Sequence, residues 1–293
     1  MIVRIWISII VIVLLGLKER SRAAPNRSSI LNRPACQGFN QIVSQQWQEL
    51  NNLYKKADSR FTVIELENSP YFISNSDSDI VILLHGFLGS PFEMNRMADS
   101  LKNKGYSVLN DLIPGYGFSA RVANQFTENY WNQYFARRYE AVFQCYKHVH
   151  LIGFSTGGLI FHKFLIANPK LRATVPLNVL YLSSMGLKEL KIMIRYPDNY
   201  LRDAPYLNMN EIAKSGQEVI DFKNLEKNQS PVIVYATSKD LVMDFETTIK
   251  MVTRDFSNLV IVNYSNTLAP HHLFRPEVSD VSFDFEKKLL GFF

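Results

Sequence analysis

The chain has 293 residues and a formal charge of +5, with 47% hydrophobic and 20% charged residues. That composition supports a packed core and excludes a chain disordered throughout. Residues 1–24 hold Arg4, Lys18, Arg20 and Arg22 against Glu19, a local +3 that leaves about +2 for the rest, so nothing electrostatic argues for nucleic acid.

The first element is an uncharged, predominantly apolar run of thirteen residues, Ile5 to Leu17, preceded by Arg4 and followed by Lys18-Glu19-Arg20. It has the length of a signal peptide's hydrophobic region, short of the roughly 20 residues that span a bilayer. With Arg4 snorkelling, Met1 to Leu17 also suffices for a short anchor. Residues 1–24 are therefore expected to direct export, as a cleaved signal or as a membrane tether. Residues 25–56 read as a polar linker to about Asn40 and a short amphipathic helix from Gln41 to Lys56. The two cysteines, Cys36 and Cys145, suit one disulfide of an exported protein or two separate buried thiols. No cysteine or histidine spacing suggests a metal, and His148-x-His150 reads as structural.

From residue 57 the pattern becomes regular. Phe61–Glu67 and Tyr71–Ser74 read as an antiparallel pair split by the turn Asn68-Ser69-Pro70. Ile80–Leu84 is a continuous apolar run, the mark of a strand buried on both faces. A helix follows from Pro91 to Lys104, ended by Gly105. Alternation then predicts strand 106–109, helix 130–146, strand 149–152, helix 157–167 and strand 177–182. Residues 186–229 loosen into a charged stretch placed as a small cap. Strand 232–236, helix 245–255, strand 259–264 and a closing helix 277–292 restore the alternation. This is the pattern of an α/β fold, a mostly parallel, doubly wound sheet of about eight strands over 57–293, with helices on both faces.

Two motifs carry chemistry. Residues Val149 to Gly158 run from a strand through Gly153-Phe154-Ser155-Thr156-Gly157 straight into an apolar helix. Such a turn reverses the chain sharply, strains the serine backbone and presents its hydroxyl at a helix N-terminus that favours negative charge. Ser155 is the candidate nucleophile. The second motif, His85-Gly86-Phe87-Leu88-Gly89-Ser90, ends the Ile80–Leu84 strand. Acyl transfer needs two N–H donors aimed at the carbonyl oxygen; Thr156 and Phe87 are the candidates. Gly86 allows close backbone approach, Leu88 lines the substrate, and His85 serves as a structural hydrogen-bonding residue.

His85–Ser90, Asp111-Leu-Ile-Pro-Gly-Tyr-Gly-Phe-Ser119 and Gly153–Gly158 together resemble the α/β-hydrolase superfamily over about residues 60–293. Within it the likeness is to carboxylesterases and monoacylglycerol-lipase-like enzymes. The middle stretch resembles the loop after the family's fourth strand, with one residue more than the commoner D-x-P-G spacing. The resemblance implies a Ser-acid-His chain order. Asp240, four residues past the strand ending at Ala236, is the expected acid, with Asp244 the runner-up. The base then comes from His271 or His272. In resembling esterases the histidine is followed by an aliphatic residue and, about five positions on, an acidic one, which His272-Leu273 and Glu277 match. His162, inside the helix after the elbow, points along that helix. The expected activity is hydrolysis of a small-molecule or lipid ester without metal or cofactor. Acyltransferase, thioesterase and peptidase activities reuse the same residues. A catalytically silent binding module has no need of a strained serine.

Overall fold

Alternation along two buried strands sets the architecture. The chain is described by a computed structural model over residues 34–61, 68–76, 78–87, 89–118, 120–123, 125–167, 177–182, 232–236, 245–264 and Lys287. In β2 (Asp79–Leu84; β1 is Tyr71–Ile73) every residue after Asp79 is buried. Successive side chains of a strand face opposite ways. Ile80, Ile82 and Leu84 accordingly join one apolar cluster, while Val81 and Leu83 join another. The same division holds in β4 (His148–Phe154), with β3 at Ser107–Asp111 before it: Val149 and Leu151 lie in the first cluster, Ile152 and Phe154 in the second. A strand buried on both faces needs helices on both, and they are present. Helix α1 (Pro34–Ala57), α4 (Glu128–Cys145) and α5 (Thr156–Ala167) cover the first face. Helix α2 (Asn95–Asn103) covers the second, and α3 is a four-residue turn at Ala120–Ala123.

With β5 (Leu177–Leu182), β6 (Val232–Ala236), α6 (Phe245–Asp255) and β7 (Leu259–Asn263), the described sheet has seven strands in the order β1-β3-β2-β4-β5-β6-β7. Only β1 runs antiparallel, against β3. Tyr71–Ser74 was expected to pair with Phe61–Glu67; residues 62–67, the cap at 186–229 and most of the closing helix lie outside the described residues. The chain moves from β2 outward to β3 and then back across β2 to β4. The order therefore reverses between β2 and β4, and such a switch point opens a crevice at the carboxyl ends of the strands.

Helix α1 starts at Pro34, earlier than the expected Gln41. Its first turns are fixed by long-range contacts: Cys36 forms a disulfide with Cys145 at the end of α4, and Cys36 and Phe39 are buried in the first cluster. The alternative of two separate thiols is thereby excluded. The bridge joins residues 109 apart, and a loop of that size is worth about 2–5 kcal/mol of stability through restriction of the unfolded chain.

Candidate active site

The register builds the site. Leu84 pairs with Gly153 across β2 and β4, so the next residues on each strand, His85-Gly86 and Phe154-Ser155, leave the sheet side by side. Close approach here demands glycine. A side-chain carbon on Gly86 would sit 2.8 Å from the Phe154 ring and 3.4 Å from the Ser155 Cβ. One on Gly157 would lie 2.7 Å from the His85 carbonyl oxygen, and one on Gly153 2.6 Å from the Gly158 Cα. The glycines of the elbow are thus packing requirements, and the turn at Gly86 and the serine turn are close together.

Ser155 stands alone among the described non-glycine residues in having a positive φ, 50°. Holding an L-residue there costs about 1–3 kcal/mol, a cost that the surrounding packing must over-determine. Its carbonyl accepts the Leu159 N–H at 3.1 Å, so it caps α5. Its side chain is buried, and Oγ has no hydrogen-bond partner among the described residues. Thr156 is the first residue of α5, where N–H groups lack intrahelical acceptors and the dipole favours an anion. The hydroxyl and one expected oxyanion donor are therefore consecutive residues at one helix start.

His85 fills the structural role expected of it. Its ring is fully buried; Nδ1 donates to the Gly86 carbonyl at 2.8 Å, and Nε2 accepts the Ile113 N–H at 3.0 Å. Desolvation pushes its pKa down to about 4, so the ring stays neutral and joins the turn at Gly86 to the loop after β3. That second loop is clamped on every side. Tyr54 of α1 accepts the Gly115 N–H at 2.7 Å and donates to the Tyr116 carbonyl at 2.8 Å, while Trp131 Nε1 donates to Pro114 at 2.8 Å. Gly115 and Gly117 have φ of 101° and 83°, which explains glycine at both. The Tyr116 ring meets Phe87 edge-on at 6.0 Å and His85 at 5.8 Å, packing the two loops together.

Beneath this loop lies a buried ion pair that local sequence patterns did not reveal. Arg138 Nη1 bonds Asp111 Oδ1 at 2.6 Å, both side chains fully buried. Arg138 Nε donates to Gln46 Oε1 at 2.9 Å, and Gln46 Nε2 donates to the Tyr134 carbonyl at 2.8 Å. Burial raises the Asp111 carboxyl above its ordinary value, against the pull of Arg138 and the Leu112 N–H. Removing one partner of such a pair costs about 3–5 kcal/mol, because the other charge is left uncompensated. Asp111 is thus a fastening for the loop rather than a reacting group.

The remaining described histidines are engaged elsewhere. His162 Nε2 bonds Asp255 Oδ2 at 2.6 Å in the interior. Burial pushes Asp255 up, but hydrogen bonds from Arg254 and His162 outweigh it and hold the carboxyl below its ordinary range. His148 bonds Asp79 at 2.7 Å, and burial lowers His150 to about 4. Leu88, Asp240, Asp244, His271 and His272 lie outside the described residues. Strands β6 and β7 run parallel to β4, so the chain leaves Ala236 and Asn263 at the same edge of the sheet as Ser155.

No protein-family model matches the sequence, and no curated protein matches it either. Solved structures do. One, reported for LipS and LipT, two metagenome-derived lipolytic enzymes, aligns with TM-score 0.59 at 13% identity, covering 78% of this chain and 98% of its own. The monoacylglycerol lipase of Paleococcus ferrophilus gives 0.54 at 13% identity, covering 76% and 97%. MGS-MChE2, an alpha/beta hydrolase enzyme from the metagenome of Mar Chica lagoon sediments, gives 0.54 at 19% identity, covering 79% and 98%. With the strand order, the switch point and the strained serine turn all in place, this chain has the α/β-hydrolase fold.

Proposed function

We propose that the protein is a serine hydrolase of carboxylic esters, with Ser155, Asp240 and His272 as its triad. The observation that carries this reading is Ser155 itself. It is a strained, buried serine whose hydroxyl has no hydrogen-bond partner among the described residues, between a central strand and a helix N-terminus, close to Gly86. Strain of that kind has a use when the hydroxyl must be presented to a substrate. In the reaction, His272 takes the Ser155 proton as Oγ attacks the ester carbonyl. The N–H groups of Phe87 and Thr156 hold the oxyanion, and the histidinium protonates the leaving alcohol. Water repeats the sequence on the acyl-enzyme. The solved structures named above include lipolytic enzymes, which supports an ester as the substrate class. The test is a panel of p-nitrophenyl esters of graded acyl length, with fluorophosphonate labelling and peptide mapping. Turnover of an ester and label on the Ser155 peptide are expected; label without turnover of any ester would exclude the ester substrate.

The same reading includes export. A disulfide persists in oxidising compartments, and the Cys36–Cys145 bridge joins an expected apolar leader or tether as support for that location. A chain lacking residues 1–24 should stay cytosolic and keep esterase activity. It should also unfold roughly 5–15 °C lower than the exported form, since it lacks the bridge. Oxidation in vitro should restore most of that difference. Identical melting of reduced and oxidised protein would deny the bridge a stabilising role, and export of the truncated chain would deny the leader its own.

A further inference from the structure

Glu93 takes no part in the chemistry above, yet its carboxylate sits inside the turn on which that chemistry depends. The Gly86 N–H donates to Glu93 Oε2 at 3.2 Å. A side-chain carbon on Gly89 would collide with that oxygen and lie 2.8 Å from the carboxyl carbon, so glycine at 89 leaves the room that the carboxylate fills. Glu93 is itself well seated. Its N–H donates to the Ser90 carbonyl at 3.0 Å, in a 3-10 turn (Pro91–Met94) whose Pro91 and Met94 are buried.

The consequence falls on Phe87. The Gly86 carbonyl accepts from His85 Nδ1 at 2.8 Å and from the Gly89 N–H at 3.1 Å. A trans peptide is planar, with its N–H opposite its C=O, so two bonds to that oxygen restrict the direction of the Phe87 N–H without fixing it alone. The preceding peptide would still be free to turn about Gly86, the residue with the fewest backbone restraints. Glu93 removes that freedom by holding the Gly86 N–H. We propose that Glu93 is a positioning residue of the oxyanion hole, its carboxylate locking the Gly86–Gly89 turn so that the Phe87 N–H is aimed before substrate arrives. The assignment rests on the proposed serine-hydrolase reading of the site.

One oxyanion donor is worth about 10²–10³ in kcat, and a mis-aimed donor forfeits part of that. In the full-length enzyme E93A should therefore lower kcat for a short-chain ester by about tenfold to a hundredfold, with KM changed less than about threefold. Affinity for a trifluoromethyl ketone, which forms a charged tetrahedral adduct, should fall by a similar factor. E93Q keeps an acceptor oxygen at the same reach and should restore both quantities. A general loss of packing would instead follow the melting temperature and would not be rescued in this paired way. Wild-type kcat in E93A, a change in KM alone, or a kcat loss that E93Q fails to restore overturns the proposal. If E93A does not fold, E93D, which keeps the charge and shortens the reach by one methylene, carries the same expectations. Labelling of the wild-type enzyme by a fluorophosphonate runs alongside. Absence of label overturns the serine-hydrolase reading itself, whereas normal labelling with undiminished E93A or E93D turnover overturns only the role of Glu93.

Discussion

Ser155→Ala should abolish ester turnover and fluorophosphonate labelling while leaving the fold intact. Loss of a triad nucleophile typically costs about 10⁶ in kcat, and what survives comes from the oxyanion hole and binding alone. Stability should change little. Ser155 Oγ makes no hydrogen bond among the described residues, so deleting it breaks none of those bonds. The positive φ of 50° is as unfavourable for alanine as for serine, so the strain is carried over unchanged. The decisive measurement pairs a melting curve with labelling. Wild-type labelling of the alanine variant would place the reactive serine elsewhere. Loss of labelling with a collapsed melting temperature would show that the hydroxyl had a structural role that the geometry does not display.

The parts of this fold that were legible in the sequence are those governed by neighbours along the chain. Leu177–Leu182, Val232–Ala236 and Phe245–Asp255 occur where apolar runs and 3.6-residue periodicity put them. Small offsets have local causes. The helix expected from Pro91 opens as a 3-10 turn before α2, because Glu93 is drawn back to the Ser90 carbonyl and into the Gly86–Gly89 turn. Helix α4 begins at Glu128, two residues early, behind a Thr127 side chain that accepts the Tyr130 N–H. Pro34 at the first position of α1 is likewise a helix-start signal, obscured there by the polar residues before it.

What was not legible depends on partners far apart in sequence. Arg138 and Asp111 are 27 residues apart, Gln46 and Arg138 92, and Cys36 and Cys145 109. Nothing in the sequence around Tyr54 announces that its hydroxyl will hold the Gly115–Tyr116 backbone. The site follows the same division. The candidates Ser155, Thr156, Gly86 and Phe87 lie in two short motifs, and the sheet register brings the two motifs together. Glu93 escaped notice because an exposed-looking acid in a helix start normally reads as a dipole partner.

His272→Ala should lose activity by several orders of magnitude, and His271→Ala far less. The chain has six histidines, and the structure disposes of four. His85 has both ring nitrogens committed, to Gly86 and Ile113. His148 and His150 lie on β4 seven and five residues before Ser155, which at strand rise is about 23 and 16 Å away. His162, in α5, is locked to Asp255 at the end of α6. Those four leave only the adjacent pair at 271–272. The chain reaches that pair after β7, which runs parallel to β4 through β5 and β6, so it departs from the edge where Ser155 waits. Three strand spacings separate β7 from β4, about 14 Å, a gap that a loop of a few residues spans with ease. Consecutive side chains point in different directions, so one imidazole is expected to reach Oγ and the other to face away. The spacing to Leu273 and Glu277 favours His272. Its imidazole nitrogen should lie within about 3.2 Å of Ser155 Oγ in a complex with a bound inhibitor. An inactive His271→Ala beside an active His272→Ala would reverse the assignment, and comparable loss in both would show that the second ring holds the first in place.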